Sequence, residues 1–224
     1  KIDGTHLRKN NSGRVDFMGT INANKTFDIK AKSETLKLED SEFVKSFSSQ
    51  FFGLFNFTMA VDGPIDNPVL AAKINIFDSL IGDKLVDPSK VNISLNKNYV
   101  DFNNQMFSEK LNMKVRLPLG GHGASFIFDS QFKDFDVTDL LPIIGASSIQ
   151  SDYQGSITGH TNLVASNTDM LDLNGDIFIE KFYLQRGSLN VSLTEPTQLF
   201  AQNGILNLKD LLLEGPDNQI EISG

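Results

Sequence analysis

The chain has 224 residues, 20 of them basic and 28 acidic, for a net charge of -8, and it contains no cysteine and no tryptophan. That length suits one all-β domain able to bury a core without staples. The acidity argues against a nucleic-acid surface and against electrostatic docking on anionic headgroups, and the missing cysteine excludes disulfides, thiolate metal sites and a thiol nucleophile.

In chain order, the first signal is period-two alternation, which predicts strands at Arg14 to Ala23 and Thr26 to Ala31. From Glu39 to Phe52 the apolar residues Phe43, Val44, Phe47, Phe51 and Phe52 recur at helical spacing behind Ser41 and Glu42, predicting an amphipathic helix packed on the sheet. Strands are then expected at Leu54 to Asp62, Val69 to Phe77, Lys90 to Asn96, Tyr99 to Asn103, Glu109 to Pro118 and Ala124 to Phe132. A short helical turn is expected at Val137 to Ile144. Beyond it come strands at Ser151 to Val164, Leu171 to Glu180, Phe182 to Leu193, Gln198 to Leu213 and Gln219 to Ser223. Short links such as Asp62-Gly63-Pro64 and Gly215-Pro216-Asp217-Asn218 favour an antiparallel meander.

Two short helices cannot cover so many half-apolar strands. Another part of the sheet, a partner chain or a bound lipid must fill the space. The aromatic set, 18 Phe and 3 Tyr, suits a hydrocarbon surrounding, which a packed core and a bed of acyl chains both supply. Gly53 to Gly63 is echoed by Gly155 to Val164, each copy behind a possible helix, which suggests two degenerate repeats at about 35–135 and 136–224 within one unit.

Catalytic frameworks are missing: no His-Glu-x-x-His, Gly-x-Ser-x-Gly or Walker motif occurs, so no enzyme is expected, nor any cofactor. His6, His122 and His160 are far apart, and Gly120-Gly121-His122-Gly123 reads as a tight turn. Asp172-Leu173-Asn174-Gly175-Asp176 comes nearest to a calcium loop, but its Gly falls too early and no bidentate Glu follows. Asp134 and Asp136 read as a wet strand face. The sequons at Asn24, Asn56, Asn92 and Asn190 read as by-products of Asn-rich polar positions. No run approaches the ~18 apolar residues of a spanning helix. A chain that opens in mid-pattern and stops at Glu221-Ile222-Ser223-Gly224, still alternating, is expected to be a piece of a longer protein.

The run Gly53-Leu54-Phe55-Asn56-Phe57-Thr58-Met59-Ala60-Val61-Asp62-Gly63-Pro64 to Ile74, with Asn203 to Gly215 and Ile220 to Gly224, resembles the repeats of TamB/AsmA-like bacterial envelope proteins. The resemblance implies a U-shaped antiparallel sheet, a β-taco, in the periplasm of a diderm bacterium, with the parent anchored in the inner membrane. It implies phospholipid, or another acyl-chain lipid, as cargo along an apolar groove toward the outer membrane, and an outer-membrane barrel as a protein partner. The candidate lining comprises Phe55, Phe57, Met59, Val61, Leu70, Ile74 and Ile76, then Phe126, Phe128, Leu171, Leu173, Ile177 and Ile179. Leu189, Val191, Leu193, Leu206, Leu208, Ile220 and Ile222 complete it. The competing expectation is a structural β-sandwich or β-solenoid module of a large surface adhesin, its apolar faces buried against each other.

Overall fold

The computed structural model describes residues 2–8, 13–47, 51–119, 125–140, 153–166, 172–216 and 219–222. It starts with β1 (Ile2–Arg8), β2 (Arg14–Ile21), β3 (Thr26–Ser33) and β4 (Leu36–Lys37), then a 3₁₀ turn at Leu38–Asp40 and the six-residue helix α1 (Glu42–Phe47). The long pair β5 (Phe51–Pro64) and β6 (Val69–Ile81) precedes β7 (Lys84–Val86), β8 (Ser89–Leu95), β9 (Tyr99–Met106), β10 (Leu111–Pro118) and β11 (Phe126–Asp136). A second 3₁₀ turn, Val137–Leu140, is followed by the long pair β12 (Tyr153–Ala165) and β13 (Asn174–Arg186). The chain ends with β14 (Leu189–Leu193), β15 (Thr197–Gln202), β16 (Ile205–Leu208), β17 (Leu211–Glu214) and β18 (Gln219–Ile222).

Pairing follows chain order and is antiparallel throughout, as short turns dictate. At β13 the ladder divides, with Tyr183–Arg186 pairing β14 and Gly175–Ile179 pairing β15. β14 continues through β17 to β18, and β15 pairs β16. The product is one large open all-β sheet, not closed into a barrel.

A line of irregularities crosses this sheet. β3 and β4 are separated at Glu34-Thr35, β7 and β8 at Asp87-Pro88, β14 and β15 at Thr194 to Pro196, and β16 and β17 at Lys209-Asp210. Bulges fall at matching registers in β5 and β6 (Phe52/Leu54), β11 and β12 (Phe132/Phe135), and β12 and β13 (Thr158/Gly159). A bulge bends its strand, and Pro88 and Pro196 have no N–H to continue a ladder, so the aligned defects form a crease.

Hydroxyls replace the ladder bonds lost there. Ser33 Oγ accepts from Phe57 N (2.9 Å), Ser89 Oγ from Phe107 N (3.0 Å) and Thr158 Oγ1 from Asp134 N (3.0 Å). Thr197 Oγ1 serves the carbonyls of Lys209 and Asp210, each at 2.9 Å. Gly53 belongs to the same line: a Cβ there would lie 2.7 Å from Ser79 Oγ, and its φ of +150 favours glycine.

Several predicted boundaries move. The expected helix from Glu39 to Phe52 is a 3₁₀ turn plus six α-helical residues, and Phe51 and Phe52 open β5 instead. β13 runs unbroken to Arg186, where the sequence suggested a break near Lys181. Gln198 to Leu213, expected as one strand, is three, the first two joined by a turn at Asn203 (φ 51) and Gly204 (φ 74). β1, β4 and β7 were not predicted, and the end of the expected turn, 141–144, lies outside the described residues.

Candidate functional site: one apolar face in two states

The ladder registers decide which side chains share a face, because directly paired residues project to the same side. Phe55, Phe57 and Val61 pair with Ile76, Ile74 and Leu70, and the row continues through Val91, Ile93 and Leu95 on β8. It passes Phe102 and Val115 to Phe128 and Leu163. Ile177 and Ile179 follow, opposite Leu199 and Thr197, and Leu208 and Leu206 pair Leu199 and Ala201. Past the crease, Val191 faces Leu184, Leu193 faces Leu213, and Ile220 and Ile222 face Leu213 and Leu211. Every predicted lining residue within the ladders is thus on one face. Leu173 lies just before β13, next to Asn174, and Leu171 is outside the described residues.

This face exists in two states. Before the crease Phe55, Phe57, Met59, Val61, Leu70, Ile74, Ile76, Phe128, Ile177 and Ile179 are only half-buried, and Leu206 is 59% exposed. Phe126 is the exception at 7%. On the last strands Leu189, Ile220 and Ile222 stand at 54%, 48% and 46%. No second layer covers them among the described residues.

Around the tip of the β9–β10 hairpin, by contrast, Ile81, Val86, Phe107 and Phe135 make a buried cluster, with Phe51, Met106, Leu111, Phe132 and Ile157 packed against it. The hairpin stops short at residues 107–110, leaving a notch between the longer strands on either side, and Phe107 fills it, its ring 5.2 Å from that of Phe135. Phe107, Ser108 and Glu109 all take positive φ (53, 53 and 69), conformations that cost about 1–3 kcal/mol each and persist only when their surroundings impose them. The bonds from Phe107 N to Ser89 Oγ and from Ser108 N to the Pro88 carbonyl (2.9 Å) do so.

Charge closes the notch. Lys84 on β7 reaches Asp136 Oδ2 at 2.5 Å and Asp139 Oδ1 at 2.6 Å, and hydrogen-bonds Thr138 Oγ1 at 3.1 Å. The β8 and β11 columns are three ladder steps apart, ~14 Å in a flat sheet. The strands therefore lean together over the hairpin tip. Burial alone would lower the Lys84 pKa, but its hydrogen bonds to Asp136 and Asp139 outweigh that and raise it. Asp136, pushed up by burial, is brought below the usual carboxylate range by Lys84 and Thr138, while burial holds Asp139 above it. Lys110 to Asp87 at 3.1 Å flanks the same notch.

The sequence-level lining omitted residues of the same face on β2, β3 and β8 to β10, among them Phe17, Ile29, Val91, Phe102 and Val115. Their alternation was legible. The face is masked in the middle by polar members: Asn104 and Ser130 lie opposite Met113, and Thr161 opposite Ser130, with Ser130 and Thr161 buried.

The other face is richer in polar residues, bridged by amides as Asn75 Nδ2 donating to Asn56 Oδ1 at 2.8 Å illustrates, and it also carries exposed apolar side chains such as Met18, Val164 and Phe200. It holds a depression of about 610 Å³ bordered by Asn92, Asn103, Lys114, Asp129, Asn162 and His160. His160 stacks on Phe178 and lies 3.6 Å from Asp176. His122 is outside the described residues. Asp172 accepts from Ser166 N and Oγ, bonds that lower its pKa. No group of three or more metal-ligating side chains occurs among the described residues. None of their helices is long and apolar enough to cross a membrane.

No family model, no curated protein and no solved structure matches this chain.

Proposed function

We propose that this chain is a non-enzymatic lipid-binding segment whose apolar face carries the acyl chains of phospholipid between membranes. The observation that carries the reading is the apolar row from Phe57 and Ile74 through Val91, Phe102, Val115 and Phe128 to Leu163, which is left only partly buried. Hydrocarbon burial is worth about 0.8 kcal/mol per CH₂, so acyl chains lying along such a face gain affinity at every position without a specific contact. An apolar row that passes from strand to strand therefore suits passage better than a single tight site. The same reading places the chain in the periplasm of a diderm bacterium, its parent anchored in the inner membrane and working with an outer-membrane barrel, as in the TamB/AsmA-like proteins it resembles.

Lipid extraction and native mass spectrometry of the purified protein test the proposal. Co-purified phospholipid is the expected result, and it should disappear in Phe57→Asp while circular dichroism stays unchanged. A lipid-free protein indifferent to detergent would overturn the reading in favour of a structural module. Should Phe57→Asp unfold the chain, the more exposed Leu206→Asp provides the same comparison.

A further inference from the structure

On the polar face, near the start of the sheet, β2, β3, β5 and β6 enclose a second depression of about 460 Å³. Its origin is local. One row runs Met18, Lys30, Ala60 and Ala71 across β2, β3, β5 and β6, and the next runs Lys32, Thr58 and Lys73 across β3, β5 and β6. Short side chains beside long ones leave a hollow with a largely apolar floor and a rim of three ammonium groups. Lys32 and Lys73 stand in the same row on either side of Thr58, two ladder steps or ~10 Å apart at the backbone, within joint reach of one tetrahedral anion. Lys30 is two residues from Lys32 on the same face.

None of the three lysines forms an ion pair or side-chain hydrogen bond among the described residues. Of the acids on this face, Asp16 also lines the hollow, opposite Lys32, and is held by Arg14 at 2.5 Å, while Asp28 and Asp62 lie opposite each other one row beyond Lys30. Three lysines without an ion pair around one hollow stand out in a chain of net charge -8. Their mutual repulsion is relieved by an anion, and lysine serves phosphate as a point charge. We infer that this hollow binds a phosphate monoester carrying an apolar group, the phosphate held by Lys32, Lys73 and Lys30 and the apolar part lying on Met18, Ala60 and Ala71. The inference concerns the face opposite the lipid-binding one and stands independently of it.

Titration calorimetry with phenyl phosphate and with inorganic phosphate is the first test. Saturable binding, tighter for phenyl phosphate and weakening as salt rises, is expected, with about tenfold loss for Lys32→Gln or Lys73→Gln. Lys133→Gln on β11 should change nothing. Flotation with phosphatidylcholine vesicles, with and without phosphatidic acid, separates the two sources of such a group: binding only to phosphatidic acid vesicles assigns a lipid headgroup, and binding of phenyl phosphate without vesicle association assigns a soluble ester. If neither probe binds, or if Lys32→Gln/Lys73→Gln binds as the parent does, the inference is overturned. All these lysines are exposed, so the variants keep the fold.

Discussion

Two regions of one face, built from the same residue types at the same period, end in opposite states. Around the β9–β10 tip the strands lean together, and Phe107, Phe135, Ile81 and Val86 exclude water from one another. On the long body of the sheet, Phe57 and Ile74 face each other on neighbouring strands and remain only partly buried. Composition does not separate them. Local curvature does, and it comes from bulges, prolines and hydroxyls that are individually unremarkable polar or small positions. An apolar alternating strand therefore reports which side faces oil, and only the defects report whether that oil is protein.

The comparison is broken most strongly by truncating the packed end. Phe135→Ala, at a position 3% exposed, should cost about 3–4 kcal/mol in urea unfolding, whereas Phe57→Ala on the open body should cost about 1 kcal/mol. Equal costs would mean that the body is a core as well. Next in size is Gly159→Val, which places atoms where a Cβ would already sit 2.1 Å from the Phe178 carbonyl and 2.8 Å from the Phe132 ring; a loss of about 2–3 kcal/mol is expected.

Lys84→Met should cost about 2 kcal/mol at neutral pH, less than a fully buried pair because Lys84 is 35% exposed. Its pH dependence is more telling. Asp136, with its lowered folded pKa, contributes stability that is full above the unfolded carboxylate value and lost as pH falls through the folded one. Asp139, raised, does the reverse: its contribution is full below the unfolded value and lost as pH rises through the folded one. The parent should thus show a shallow dependence in mild acid. The variant, with two carboxylates and no cation between them, should gain stability on acidification in denaturant titrations across that range. The smallest effect belongs to the crease: Thr197→Val removes the hydroxyl that serves two carbonyls, for about 1 kcal/mol, visible first as faster amide exchange at the neighbouring strand ends.

The face itself was readable from the chain, because side-chain period in a strand admits no other arrangement once the neighbours are in register. What misled was any feature that interrupts period two. Glu180 and Phe182 read as the end of one strand and the start of another, yet the break in alternation between them is a bulge inside β13. Asn203-Gly204 reads as part of a long strand, yet it is a two-residue turn between two short ones. A bulge and a turn leave the same mark on a hydrophobic pattern, and only the partner strand distinguishes them. Phe51 and Phe52 were assigned to a helix for a related reason: the phenylalanines upstream sit at helical spacing, and nothing local announces that the chain switches to a strand whose alternate residues face the packed cluster and solvent. The notch filled by Phe107 was illegible, since it depends on one hairpin being shorter than its neighbours.

The order of strands across the sheet has a kinetic consequence. Because each strand pairs with the one made just before it, loop closure is short at nearly every step, and the entropy of bringing partners together is small for a chain so rich in β structure. Such a sheet can zip strand by strand, each new segment finding its template already in place.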